Sequence, residues 1–348
     1  MKIIFLKLLL FLFALNILNC HRKSELPQTK TQFLMGTFVT ISSYDEAIGE
    51  SDFQIAADSA FAAIHQIENH ANPFDSRSEI SLINSRTGSL SQFPLSTLLR
   101  PLIAAALQIA RQTNGAYDPT LWPVFRLWHW ESENPEVPPD SLIRMQLKKV
   151  DYQNLALRSD TLLVLQKEMG IDLSGISKGF AVERARKILQ RMGLENFIID
   201  AGGNLGINWQ KEQPVSVYIR HPRLRNSLFG KFPVRASCGV ATSGDYQNYF
   251  VRDSLRYHHI LDPSTGKPAH LPSPRQPYPE NRVVSATVWA EDATTADGLS
   301  TALFVMGTER ALAFTDSLPG VEMIMIYLQS DSLHYAASKG LAEKFSIV

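Results

Sequence analysis

The chain reads as an α+β fold: mixed and antiparallel sheets packed with helices, in a single domain of one lobe or two. Three observations predict this. Helical periodicity dominates the first third, a strand-rich stretch follows Gly193, and helices and strands close the chain, which is not the βαβα alternation of a doubly wound parallel sheet. No period of 20–50 residues repeats, which excludes a solenoid or propeller. No Pro/Gly-rich linker divides the sequence after residue 31, so residues 32–348 form one unit.

The elements follow in order. Gln32–Tyr44 alternates Phe, Val, Thr and Ile as a strand does. Asp52–Ala71 places Phe53, Ala56, Ala60, Ile64 and Ile67 on one helical face and stops at Pro73. Ser78 caps a short helix to Asn84, and Ser96–Thr113 is a long helix closed by Asn114-Gly115. The turn Ala116-Tyr117-Asp118-Pro119 opens an aromatic segment holding Trp122, Phe125, Trp128 and Trp130, and Asn134–Pro139 is a proline-rich loop. Val150–Leu157 and Thr161–Leu165 form a hairpin. A helix over Ser177–Met192 ends at Gly193. Strands are expected at 197–200, 206–209, 215–220, 234–240 and 258–261, a proline-rich loop at Pro272–Pro279, and a strand at 283–289. Helices over 292–306 and 309–317 and a terminal hairpin, 321–328 with 332–336, complete the chain.

The 34 basic and 34 acidic residues balance. No basic stripe is offered to nucleic acid. At the N-terminus, Lys2 and Lys7 flank and enter an apolar run, Ile3–Leu18, that is shorter than the ~20 residues of a membrane span and suits a signal-peptide core. Cys20 follows it as in a bacterial lipobox, although Asn19 is not the small residue usual before such a cysteine. The reading is a signal peptide (1–19), a lipidated tether (20–31) and export to the periplasmic face of a membrane through Cys20; a plain signal peptide and an uncleaved anchor are the alternatives. With Cys20 lipidated, Cys238 has no partner for a disulfide.

Chemistry-bearing residues gather in a few motifs. Gly170-Ile-Asp-Leu-Ser-Gly-Ile-Ser-Lys-Gly-Phe-Ala181 joins a strand to a helix. Its glycines let a ligand approach the backbone, and free N–H groups at the helix start favour anions. Gly175-Ile-Ser-Lys-Gly179 also spells a nucleophile elbow, with acids (Asp200, Asp245) and histidines (His258, His259) following in hydrolase order. Against that reading, no alternating helices and no HGGG-like segment accompany it. Asp297 and Thr301, four apart on a helix, present a carboxylate and a hydroxyl to one side, as a hard cation such as Mg²⁺ requires. The commoner case for such a pair is a dipole-offsetting Asp and a packing Thr. On the strand at 258–261 one of two histidines must face each side, and the one facing a cleft suits a general base. Ala241-Thr-Ser-Gly-Asp-Tyr246 and Asp200-Ala-Gly-Gly-Asn204 read equally as ligand loops and as ordinary turns.

In this order, Met35-Gly36-Thr37, Ser78-Glu-Ile-Ser81, Gly115–Pro119, Asp172–Ala181, Ala241–Tyr246, His259-Ile-Leu-Asp-Pro-Ser-Thr-Gly266, and Ala296-Asp297 with Thr301 resemble the ApbE-type FAD:protein FMN transferases over nearly the whole mature chain. The resemblance implies transfer of FMN from FAD to a Thr or Ser hydroxyl of an acceptor protein, a redox-pump subunit being the expected target, with AMP released. It implies Mg²⁺ on Asp297, Thr301 and the Gly175 carbonyl, His259 as base, and flavin-nucleotide contacts from Met35, Phe74, Ala116, Tyr117, Asp118, Asp172, Lys178 and Ile260. Phe74 stands where many members have Tyr, which keeps ring stacking and loses a hydroxyl. Ser177 stands where many members have Ala, which removes it as a nucleophile. FAD hydrolysis without an acceptor and non-catalytic flavin binding are the alternatives within the resemblance; a Ser177 hydrolase lies outside it.

Overall fold

A computed structural model of the chain describes residues 26–88, 91–130, 132–272 and 281–348; the leader, Cys20 and most of the proline-rich 272–279 loop lie outside the described residues. The chain folds in three layers. The middle layer is an eight-stranded sheet. Its order is β1 (Gln28–Leu34), β2 (Thr37–Ser43), β6 (Phe197–Ala201), β7 (Asn204–Asn208), β10 (Cys238–Gly244), β15 (Arg282–Ala290), β16 (Val321–Gln329) and β17 (Ser332–Ala337). Every neighbouring pair is antiparallel.

Alternation along the central strands feeds two separate cores. Phe197, Ile199, Ala241, Val288, Met323 and Met325 point to the helical side. Ile207, Val240, Val284, Ile324 and Ile326 point to the other, where β8 (Val215–Arg220), β9 (Leu228–Val234) and β18 (Ser346–Ile347) form a small sheet that brings Val217, Ile219, Phe229 and Phe232. The helical side holds α1 (Glu50–Ala71), α2 (Glu79–Asn84), α3 (Leu99–Gln112), α6 (Ser174–Arg191), α7 (Ala293–Met306) and α8 (Thr308–Thr315). α1 buries Phe53, Phe61, Ile64 and Ile67, each contributing ~1.5–3 kcal/mol by leaving water. A third cluster gathers Val124, Trp128, Ile143, Tyr257 and Leu261 from α4 (Trp122–Phe125), the 3₁₀ turn after it, α5 (Asp140–Leu147), the hairpin β11 (Tyr249–Arg252)–β12 (Leu255–His258) and the short strand β13 (Leu261–Asp262) that follows.

Several expectations change. The strand expected at 32–44 is a hairpin starting at Gln28, so four residues of the expected tether lie in β1. It turns at Met35 and Gly36, whose φ of 52° and 72° are both left-handed, as a two-residue hairpin turn demands. Alternating apolar residues run across that turn and hid it. The strand expected at 234–240 is split: β9 ends at Val234 and β10 begins at Cys238, in different sheets. The strand at 258–261 breaks after His258, because Ile260 turns its carbonyl to the Ala269 N–H at 2.9 Å. α6 starts at Ser174 instead of Ser177, which puts Gly175 inside its first turn. Gly202-Gly203 is the tight β6–β7 turn, both with positive φ. Ser78 caps α2 by accepting the Ser81 N–H at 3.1 Å. β3 (Ser91–Pro94), which joins β4 (Leu155–Arg158) and β5 (Thr161–Val164), and α5 were not foreseen. α5 has a single buried residue, Ile143, too little for a periodic signal.

α6 and α7 meet at glycine. A Cβ at Gly179 would lie 2.2 Å from the Ala293 carbonyl oxygen and 2.4 Å from Asp297 Cβ; one at Gly239 would lie 2.2 Å from the Ala293 nitrogen. Gly179→Ala gains at most ~1 kcal/mol of helix propensity and must displace backbone, an overpacking cost of ~1–3 kcal/mol or more. The expected outcome is a lower urea midpoint for Gly179→Ala, measured by circular dichroism, with a net loss of up to about 2 kcal/mol.

Candidate active site

A cleft of about 1310 Å³ opens where the β1–β2 hairpin tip, the start of α6, the middle of α7 and the loops after β8, β10 and β12 converge. All twelve residues singled out in the sequence line it: Met35, Phe74, Ala116, Tyr117, Asp118, Asp172, Gly175, Lys178, His259, Ile260, Asp297 and Thr301. Ser177 does not; it is buried in α6. The acids that would have served a serine hydrolase are engaged elsewhere. Asp200 accepts the Gly203 N–H at 2.9 Å, and Asp245 makes a two-pronged ion pair with Arg223 at 2.7 Å per contact.

Asp297 and Thr301 face the cleft on successive turns of α7, whose N-terminus is capped by Asp292 accepting the Thr295 N–H at 3.0 Å. The Asp297 carboxylate accepts the Gly179 N–H at 2.8 Å, fixing its rotamer across the α6–α7 contact. The Thr301 hydroxyl lies 3.3 Å from the Gly175 carbonyl oxygen. Ser243 Oγ sits 2.8 Å from Ser300 Oγ and 3.4 Å from Thr301 Oγ1. Ser300 donates to the Asp297 carbonyl at 2.9 Å, so its lone pair takes the Ser243 proton. A carboxylate, a hydroxyl and a backbone carbonyl therefore converge, all hard oxygens suited to Mg²⁺. Among the described residues no group of three His, Cys, Asp or Glu is placed to hold a metal, so any cation here rests on this mixed set.

The 116–119 and 170–181 motifs lock together because the Asp172 N–H donates to the Pro119 carbonyl at 2.8 Å. Asp172 accepts the Ser174 N–H at 2.9 Å and its hydroxyl at 3.1 Å. Asp118 holds its own turn, accepting the Thr120 N–H and hydroxyl at 2.8 and 2.6 Å and the Tyr152 N–H at 3.1 Å. Tyr117 is 4% exposed, and its hydroxyl has no hydrogen-bond partner; the buried Asn204 side chain, also in the cleft lining, hydrogen-bonds the Asp297 carboxylate. Burial pushes the Asp118, Asp172 and Asp297 carboxyls above their ordinary values; Lys178 pulls the last two back. Burial first, and then Asp172, Asp297 and Asp118, raise the Tyr117 hydroxyl well above its usual range. Burial therefore opposes charge on all three carboxylates, and Lys178 offsets it at Asp172 and Asp297.

Across the cleft, His259 is half-buried, and its Nδ1 lies 3.1 Å from the Asn248 carbonyl. A carbonyl only accepts, so Nδ1 carries the proton and Nε2 keeps a free lone pair. Burial, and then the Lys178 ammonium, bring the His259 imidazolium down to about 4. His258 faces the other way, its Nε2 donating to the Ala269 carbonyl at 2.9 Å. Ile260 is buried beside them, and Met35 is pinned by its N–H to Glu68 Oε1 at 2.8 Å. Phe74 is 48% exposed and stands edge-on to Trp122, centroids 5.0 Å apart, with a face left for a planar ligand.

Sequence reasoning missed Trp130, Arg220, His221, Leu224 and Arg225, which also line the cleft. The 221–227 loop carries no motif. It reaches the site through the Arg223–Asp245 ion pair, and only the Asp245 half of that pair lay in a segment that drew notice.

Hard oxygen donors and an imidazole with a free lone pair in one cleft make this the candidate active site. Residues 35–325 match the ApbE family, and the chain belongs to it. The FAD:protein FMN transferase of Vibrio cholerae serotype O1 is 31% identical over 310 residues, covering 87% of this chain and 89% of that protein. That of Treponema pallidum is 27% identical over 337 residues, covering 92% and 89%. The crystal structure of the ApbE protein of Thermotoga maritima superposes with a TM-score of 0.80 at 31% identity, over 91% of this chain and 99% of that one. The flavin transferase ApbE of Vibrio cholerae gives 0.76 at 27% identity, over 91% and 99%.

His259 should titrate near pH 4 in an NMR pH series, against an ordinary value of ~6.5. Lys178→Met should move that titration upward, because removing the neighbouring cation eases protonation.

Proposed function

We propose that the chain transfers FMN from FAD to a Thr or Ser hydroxyl of an acceptor protein, with AMP as leaving group. One observation carries this: hard oxygens and a neutral, correctly tautomeric histidine line the same nucleotide-sized cleft, in a chain whose relatives are named FAD:protein FMN transferases. The FAD diphosphate would lie along the Gly175–Lys178 start of α6, where the helix dipole and the Lys178 ammonium meet phosphate charge. Asp297, Thr301 and the Gly175 carbonyl would hold Mg²⁺, which supplies neutralisation of the charge developing on the diphosphate. Phe74 and Met35 offer apolar contact to a ring, and the unpartnered Tyr117 hydroxyl offers a hydrogen bond to a ligand oxygen. His259 Nε2 accepts the proton of the acceptor hydroxyl as that oxygen attacks the FMN phosphorus. The bond from phosphorus to the AMP oxygen breaks, and AMP departs with the electron pair. The low imidazolium value of the free enzyme keeps His259 ready as acceptor at neutral pH; the arriving diphosphate, by countering Lys178, strengthens it as a base.

We place the enzyme outside the cytoplasm, held to a membrane through lipidated Cys20, with a redox-pump subunit as acceptor. Among the described residues no helix is long and apolar enough to cross a membrane.

Incubation of the chain with FAD, Mg²⁺ and a flavin-accepting redox-pump domain should yield an FMN adduct and free AMP by mass spectrometry. Asp297→Ala should lower the transfer rate at least ~10²-fold, the scale of losing one electrostatic group at a transition state; an undiminished rate refutes the metal assignment. Ser177→Ala should transfer within twofold of the unaltered chain, and loss of activity there would restore the serine-hydrolase alternative. In cells, Cys20→Ala should abolish incorporation of labelled palmitate and release the protein from the membrane fraction.

A further inference from the structure

The β1–β2 hairpin presents a surface that neither core uses. β1 is the edge of the eight-stranded sheet, and no strand among the described residues pairs with its outer side. Its two-residue turn makes Leu34–Thr37 a hydrogen-bonded pair. By alternation, Phe33–Phe38 and Thr31–Thr40 are non-hydrogen-bonded pairs, so the N–H and C=O groups of Thr31 and Phe33 point outward from the sheet edge. The side chains agree with that pairing: the Phe33 and Phe38 rings meet edge-on at 5.4 Å, and the Thr31 and Thr40 hydroxyl oxygens lie 2.9 Å apart. Both phenylalanines are exposed, at 64% and 69%. Edge strands are ordinarily blunted by charge, proline or cover. Here Thr31, Gln32 and Phe33 are uncharged and open.

This face runs into the active site. Phe38 and Thr40 belong at once to it and to the cleft wall, and the turn residues Met35 and Gly36 form the cleft lip. Across the opening stand Leu224 and Leu228, 58% and 42% exposed and also cleft-lining. A strand edge that is uncharged from Thr31 to Phe33, its one lysine (Lys30) paired with Asp58, and that carries an exposed aromatic pair thus leads to the point where a polypeptide hydroxyl must be delivered.

We propose that the acceptor protein docks here, adding the extended segment beside its hydroxyl residue to the outer edge of β1 and packing an apolar side chain on Phe33 and Phe38. The inference rests on the transfer reading above. Main-chain pairing to Thr31 and Phe33 supplies affinity without demanding a particular sequence, and the aromatic pair selects apolar neighbours. Continuity with the cleft favours a substrate polypeptide over a second copy of this chain or its own N-terminal segment.

The test uses the full chain and the flavin-accepting domain of a redox-pump subunit as probe. Phe33 does not line the cleft, so Phe33→Glu should raise the KM for the acceptor at least tenfold while leaving kcat within twofold and the FAD dissociation constant, read by flavin fluorescence, unchanged. Thr31→Pro keeps the β1–β2 ladder and deletes the outward N–H together with the Thr31–Thr40 hydroxyl contact; it should raise the same KM, whereas Thr31→Val, which loses only that contact, and Phe33→Leu should leave it near the original. A benzophenone amino acid at position 33 should crosslink to the acceptor on illumination. An unchanged acceptor KM in both Phe33→Glu and Thr31→Pro overturns the proposal, as does a crosslink to a second copy of the chain or to residues 1–25. If the unaltered chain attaches no FMN to the probe, the transfer reading fails for that acceptor, and the crosslink still decides the docking surface.

Discussion

The site depends on one contact, the crossing of α6 and α7 at Gly179. Because residue 179 has no side chain, the Ala293 carbonyl and the Asp297 stem come within van der Waals distance of the α6 backbone. The freed space lets the Asp297 carboxylate take the Gly179 N–H at 2.8 Å. That bond sets where Asp297 points and, through the rigid helix, where Thr301 meets the Gly175 carbonyl. Gly239 on β10 performs the same service behind α7, so the helix is seated between two glycines, one on each side.

Electrostatics then shape what the cleft accepts. Asp118, Asp172 and Asp297 all surround Tyr117, and burial makes each of them harder to ionise. Asp118 and Asp172 are occupied by the hydrogen bonds of their own turns and act first as scaffolding for the 116–120 and 172–174 segments. Asp297 has one oxygen held by the Gly179 N–H and takes a further hydrogen bond from the Asn204 side chain, so its position is fixed from two elements. Lys178 serves both walls: it eases the carboxylates toward charge and keeps His259 from acquiring one.

Much of this was legible in the chain. The α+β class followed from the order of periodicities, and five short motifs, with Phe74 beside them, named twelve residues that the fold brings into one cleft. What stayed hidden depends on long-range pairing. Nothing local in Val234–Val240 says that Arg235–Ser237 passes between two sheets, since both halves are apolar and each serves the second core. Met35 gave no turn signal, because methionine seldom adopts positive φ; its conformation is held by Glu68, thirty-three residues away. The 221–227 loop enters the site only because Arg223 finds Asp245. The His258–His259 pair was readable as one inward and one cleft-facing residue, but which was which turned on Asn248 and Ala269.

The walls of the cleft come from segments spread between Met35 and Thr301, contributed by the β1–β10 half of the central sheet, by α4, α6 and α7, and by the loops between them. No contiguous fragment of the polypeptide carries a partial version of the pocket. Contacts of such sequence separation form late, after the loop-closure entropy of most of the chain has been met. Nucleotide occupancy is therefore linked to completion of the whole tertiary structure. A bound dinucleotide stabilises every layer at once by mass action, so flavin supply itself sets how long a newly folded molecule resists unfolding and proteolysis.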